Sequence, residues 1–147
     1  MKSRSSPHPL SWFLQIVAAL ILAQTLFFKF SGAEESKFIF RTLGVEPWGR
    51  WATGVLELVA VVLLVLPGWA VFGALLSVGL MAGAIFSHLT KLGIAVQGDG
   101  GLLFGLAVVV LLSGAGVVWL RRFELPYVGA LLRGGAGSES EEGSRGL

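Results

Sequence analysis

Four long apolar runs, parted by charged or turn-forming residues, constrain this chain more than any other feature. The first runs from Ser11 to Phe30. A helix of about 20 residues rises roughly 30 Å, the thickness of a bilayer's hydrocarbon core. The second spans Trp51 to Leu66 and the third Trp69 to Leu92, with Pro67-Gly68 between them as a strong turn signal. Without that break the joined run would be too long for one crossing. The fourth spans Gly101 to Leu120 and is closed by Arg121 and Arg122. Strands of a membrane barrel alternate apolar and polar residues, whereas Val59 to Leu66 and Leu106 to Leu112 are continuously apolar. The expectation is an all-α integral membrane bundle of four transmembrane helices, contained in residues 1–122. Residues 123–147 are expected to form a surface segment over Leu125 to Leu132 and a disordered Gly/Ser/Glu-rich tail from Gly134.

Composition agrees with the runs. The 147 residues are 54% hydrophobic and only 14% charged, with a mean hydropathy of +0.80. A soluble domain is usually about 25% charged, and one of this size lacks the interior to hide so much apolar surface. Trp12, Trp48, Trp51, Trp69 and Trp119 fall near run ends, where indoles prefer the headgroup level. The net charge of +2 comes without a basic patch interleaved with polar readers, which argues against nucleic-acid binding. Cysteine is absent, so disulfides, thiolate metal sites and iron–sulfur clusters within this chain are excluded.

Two features bear on membrane placement. Lys2 and Arg4 before the first run, and Ser31-Gly32-Ala33 after it, resemble a cleavable leader. The run is longer than the usual leader core of about 7–15 residues, so it is expected to be retained. With four spans both termini share a side, carrying Lys2, Arg4, Arg121, Arg122, Arg133 and Arg145. The opposite side carries Lys29, Lys37, Arg41, Arg50 and Lys91. The Arg121-Arg122 pair abuts a span, which favours termini in the cytoplasm and a place in the cell's inner (plasma) membrane. The loop from Ser31 to Arg50 includes Phe38-Ile39-Phe40, an apolar piece suited to the membrane interface.

Ionisable side chains inside spans cost roughly 2.5–3.5 kcal/mol at a helix centre and are therefore functional candidates. Lys29, Glu57 and His88 are such residues, and Asp99 precedes the fourth run. The alternating direction of four spans brings all four to one end of the bundle. Ser11, Gln15, Thr25 and Lys29 share one stripe of the first helix, and Thr53 lies one turn before Glu57. Each candidate has a plain alternative. Lys29 could snorkel, Asp99 could only cap a helix, and His88 could be interfacial. Glu57 is deep and too short to snorkel, so it is expected to face the bundle with Lys29 or His88 as partner. Gly79-xxx-Gly83 and Gly101-xxx-Gly105 have the spacing that lets membrane helices approach closely. No metal site is specified. His8 and His88 do not form a haem pair, and no nucleophile–base arrangement or cofactor motif is visible.

Phe27-Phe28-Lys29-Phe30 closing the first run, Leu43-Gly44-Val45 in the loop, Gly54-Val55-Leu56-Glu57-Leu58 and Ala84-Ile85-Phe86-Ser87-His88 together resemble the DoxX family. The resemblance covers roughly residues 10–120. It implies a small bacterial four-helix membrane protein associated with redox systems, with Lys29, Glu57 and His88 at matching positions and Asp99 less closely matched. It admits quinone as a ligand, held by His88 or an acid beside Phe28 and Phe86, and a redox protein as partner. A homo-oligomer is compatible with it. The alternatives are a small proton-coupled carrier with Glu57 as the protonatable site, or a non-catalytic membrane anchor. Carriers commonly carry internal repeats or broken helices, and no repeat relates the two halves here.

Overall fold

The computed structural model describes residues 9–124. The described residues form helices and connecting turns, with no strand among them. Helix α1 covers Pro9–Ser31, α2 Glu34–Thr42, α3 Trp48–Val65, α4 Ala70–Ser87 and α5 Leu102–Leu120. Helix α4 continues into a wider π turn, His88–Leu92, and a short 3-10 turn, Arg122–Glu124, follows α5. Four of these, α1, α3, α4 with its π turn, and α5, are long and apolar enough to cross a bilayer. The expected four-helix membrane fold is thus the fold observed. The surface segment and tail expected after Glu124, and the basic residues Lys2 and Arg4, lie outside the described residues.

The four long helices alternate in direction, each packing on its neighbour in sequence, and α5 closes back on α1. Leu22, Ala60, Leu64, Ala74, Val110 and Val117 meet at the centre with almost no exposure. Phe13, Leu20, Phe27, Leu112 and Trp119 point outward and are more than half exposed, as lipid-facing side chains must be. The hairpin between α3 and α4 follows from its sequence. Leu66 precedes a proline and is driven into an extended conformation, φ −79° and ψ 126°. Gly68 then supplies a positive φ of 82°.

The loop between the first two runs holds a structure that a loop reading misses. Its apolar piece is part of α2, an amphipathic helix that buries Ser36 and Phe40 and exposes Phe38. Glu34 and Glu35 open it and Arg41 closes it, each matched to the helix dipole.

Glycine packing also differs from the spacing argument. Beta-carbons added at Gly79, Gly83 and Gly105 would meet nothing within 4 Å. At Gly101 the added carbon would lie 3.1 Å from Ile94 of the preceding loop, not from a neighbouring helix, and the close approaches between helices are elsewhere. At Gly73 an added carbon would lie 2.6 Å from the backbone nitrogen of Leu64, at Gly114 3.0 Å from Val78, and at Gly116 2.7 Å from Leu14. A four-residue glycine interval states which residues share a face, but not whether a neighbour packs there.

Candidate functional site

The end of the bundle where α1 and α4 finish and α3 and α5 begin holds the polar side chains. Glu57 is buried on the inner face of α3, at 3% exposure. Its Oε1 accepts a hydrogen bond from Lys29 Nζ at 2.8 Å, and its Oε2 accepts from Thr25 Oγ1 at 2.9 Å. Thr25 and Lys29 are one turn apart on α1, so a single face of that helix supplies both partners. Thr25 has one hydroxyl proton, shared between Glu57 and the Leu22 carbonyl at 2.8 Å. In a low-dielectric interior neither charge is tolerable alone, and pairing offsets most of the burial cost.

Behind this pair stands a second one. Arg50 is buried, its Nε donates to Glu46 at 2.9 Å, and its Nη1 donates to the backbone carbonyl of Lys29. The first turn of α3 is thereby tied to the last turn of α1, at the residue that pairs with Glu57. In the sequence alone Glu46 and Arg50 are charges of the loop between the first two runs. Their four-residue interval was the available signal.

His88 opens the π turn and is 5% exposed. Its Nδ1 lies 2.8 Å from the carbonyl oxygen of Gly93, and its own carbonyl accepts the Gly93 N–H at 2.8 Å. Gly93 sits at φ 77°, a conformation that favours glycine. The Phe104 ring packs against the imidazole in an edge-to-face arrangement, with centroids 5.7 Å apart. Phe104 therefore takes the place expected of Phe86, which lies two residues before His88 on the opposite face of α4 and is 68% exposed.

Asp99 holds the loop before α5. Its Oδ1 accepts from the backbone N–H groups of Val96 at 2.9 Å and Gly101 at 2.8 Å, and its Oδ2 accepts from that of Leu103 at 3.0 Å. The bond from Leu103 above all keeps its carboxyl below the usual carboxylate range, against a partial burial that works the other way. Each of these carboxylate bonds comes from a backbone donor of its own loop or the start of α5.

Lys29, Glu57, His88 and Asp99 line one cavity of about 560 Å³. Phe28, Met81 and Leu106 supply apolar wall, and Ile39 and Phe40 of α2 close one side. Gln24, off the polar stripe of α1, faces this cavity too. The bare backbones of Gly79 and Gly83 widen it. Among the described residues no group of three His, Asp or Glu side chains is arranged to hold a metal ion.

The opposite end carries a polar group of another kind. Arg121 Nε donates to Ser11 Oγ at 2.7 Å, and Gln15 Nε2 donates to the same oxygen at 2.8 Å. Sequence reading placed Ser11 and Gln15 on the inner stripe. It took Arg121 for a flank, because the direction of a side chain at a helix end is set by packing.

Four apolar helices around a largely apolar cavity bordered by a few polar side chains define a small multi-pass membrane protein with a candidate binding site at one end. The DoxX-like family model matches residues 13–115, which include every cavity residue named above, and the chain belongs to that family. No curated protein and no solved structure matches it.

Proposed function

We propose that this DoxX-like protein is a redox-associated membrane subunit whose cavity takes the head group of a quinone. The observation that carries the proposal is the convergence of Lys29, Glu57 and His88 on one largely apolar cavity. Its volume of about 560 Å³ lies within the range of roughly 300–1,000 Å³ typical of small-molecule sites. A quinone head group is a flat ring with an oxygen at each end, and it needs an apolar slot with polar contacts. Lys29 has ammonium protons beyond the one given to Glu57, and His88 offers its ring. Since the sequence carries no cysteine and no cofactor motif, a partner protein is assigned the electron-transfer group.

The plasma membrane is the proposed location, with both termini cytoplasmic. Lys29 and Arg50 lie inside the fold, so the flanking cations of the loop side reduce to Lys37, Arg41 and Lys91. Reporter fusions after Gly44 and after Arg133 then report opposite sides.

The test of the ligand is extraction. Protein purified in mild detergent is expected to carry quinone in stoichiometric amount. Gly79→Leu, which fills the cavity where no packed neighbour is displaced, is expected to carry none while keeping its thermal stability. Equal quinone in both proteins, or none in either, would remove the proposal and leave the membrane-anchor role.

A further inference from the structure

His88 makes one side-chain hydrogen bond, from Nδ1 to the carbonyl oxygen of Gly93 at 2.8 Å. A carbonyl oxygen has no proton to give, so Nδ1 must carry one. In a neutral imidazole the other nitrogen is then a bare acceptor. That nitrogen, Nε2, has no hydrogen-bond partner in the structure. It is not sealed in the core either, since no buried side-chain nitrogen or oxygen among the described residues is left without a partner. Nε2 therefore keeps an accessible face on a residue that is otherwise buried, and the space His88 borders is the cavity.

Two contacts and one backbone conformation hold the ring in the orientation that keeps Nδ1 on Gly93. The Gly93 N–H is bonded to the His88 carbonyl, so the acceptor of Nδ1 is anchored by the π turn itself. Gly93 has the left-handed φ of 77° that this turn uses. The Phe104 ring packs against the imidazole at 75°. The other titratable groups on the cavity wall are Glu35, Lys29, Glu57 and Asp99. Lys29 and Glu57 bond each other, and Asp99 is bonded to three backbone N–H groups.

We propose that Gly93 fixes the proton of His88 on Nδ1, so that Nε2 is a hydrogen-bond acceptor at the cavity and takes its ligand through a hydroxyl group. Resting on the quinone reading for the identity of the ligand, this selects the reduced form. A hydroquinone has hydroxyl protons to give to Nε2, whereas a quinone has only carbonyl oxygens, which are acceptors facing an acceptor. The bias is a binding preference and requires no electron transfer.

Two measurements test the two halves. The chain has only two histidines, so in a His8→Ala variant labelled with ¹⁵N-histidine His88 is observed alone. At pH 9, well above the ordinary histidine pKa of about 6.5, the spectrum is expected to show a protonated Nδ1 and a bare Nε2. A proton on Nε2 instead overturns the proposal. For the ligand, the probes are a short-tailed benzohydroquinone and its oxidised quinone, titrated into the wild-type protein in detergent at that pH under anaerobic conditions. The hydroquinone is expected to bind on the order of tenfold more tightly, the factor supplied by one net hydrogen bond. His88→Asn places an amide N–H where Nδ1 was and keeps the bond to Gly93, but has nothing at the position of Nε2. It is expected to fold normally and to bind both forms equally. Equal binding by the wild type, or an undiminished preference in folded His88→Asn, overturns the assignment of Nε2. If neither form binds to the wild type, the quinone reading and the ligand half fall together, and the spectrum still decides the tautomer.

Discussion

The two ends of this bundle are built from the same helices and the same polar stripe of α1, yet one is closed and the other is open. Near the hairpin between α3 and α4, and at the end of α5, Gly73, Gly114 and Gly116 let neighbours approach until no room remains for a beta-carbon. Ser11, Gln15 and Arg121 satisfy one another directly there. At the other end Gly79, Gly83 and Gly105 face open space, and the polar residues border a cavity. Gly49, Gly54 and Gly101 are packed at this end too, 2.6 Å from Val45, 3.1 Å from the Phe30 ring and 3.1 Å from Ile94, but none of them borders the cavity. Polar side chains in a membrane bundle are thus insufficient to mark a site. At the closed end they complete the packing, whereas at the open end a paired charge and a histidine are held beside unfilled volume.

The largest effect is expected at the open end, on removing half of its ion pair. Lys29→Met leaves Glu57 buried without its cation and should destabilise the protein by about 3–5 kcal/mol, the usual penalty for breaking a buried pair. Glu57→Gln keeps the shape and removes the charge. In the double variant the loss should be smaller than the sum of the singles, because residues in contact are not additive. Chemical unfolding in detergent measures all three, and strict additivity would mean that the 2.8 Å contact carries no coupling energy.

Next comes the contrast between glycines. Gly73→Ala drives a methyl group against the backbone of α3, within 2.9 Å of the Ala60 carbonyl oxygen, and should cost about 1–3 kcal/mol by overpacking. Gly83→Ala, on the same helix but beside the cavity, should be neutral or slightly stabilising. Equal losses at both positions would break the division into a closed and an open end.

An equal or smaller effect is expected from the polar group of the closed end. Ser11→Ala removes the acceptor shared by Gln15 and Arg121 and should cost about 1–3 kcal/mol, toward the lower end if either donor finds another acceptor. Quinone content should be unchanged, since Ser11 lies at the far end of α1 from Lys29. A change in bound quinone would show that the two ends are coupled.

The sequence displayed the four spans fully, because continuous apolar length is a property of sequence alone. It also displayed Lys29, Glu57 and His88 as ionisable residues within the apolar runs, and α1's stripe put Thr25 and Lys29 on the face that meets Glu57. It did not display the cavity, whose volume depends on where helices fail to touch, as at Gly79 and Gly83. Nor did it display α2, a nine-residue helix whose apolar face is too short to stand out as a span. The inward turn of Arg121 and the pairing of Arg50 with Glu46 followed from packing at helix ends, where the last turn of a helix can aim a long side chain in either direction.

The smallest expected effect concerns Asp99, whose loop walls the open end. Three backbone N–H bonds, that from Leu103 foremost, hold its folded pKa below the unfolded value of about 3.9. A depressed folded pKa means that the carboxylate's contribution is fully present above the unfolded value. It is lost as pH falls through the folded one. The contribution is that of a capping carboxylate, about 1 kcal/mol or less for a group partly in contact with water. Stability measured from pH 7 to pH 5 should therefore show no change from this residue, with a decline beginning only below about pH 4. Other carboxylates titrate in the same range, so the informative quantity is the difference from Asp99→Asn, which has no charge to lose. The variant should be less stable than the wild type at pH 7, and the gap should close as pH falls below about 4. Hydrogen exchange locates the loss: the Gly101 and Leu103 amides should exchange faster in the variant, while amides around Gly114 should not change. A gap that persists at low pH, or faster exchange at both ends, would mean that the carboxylate's charge does not hold the loop and that the cavity wall rests on the packing of α5.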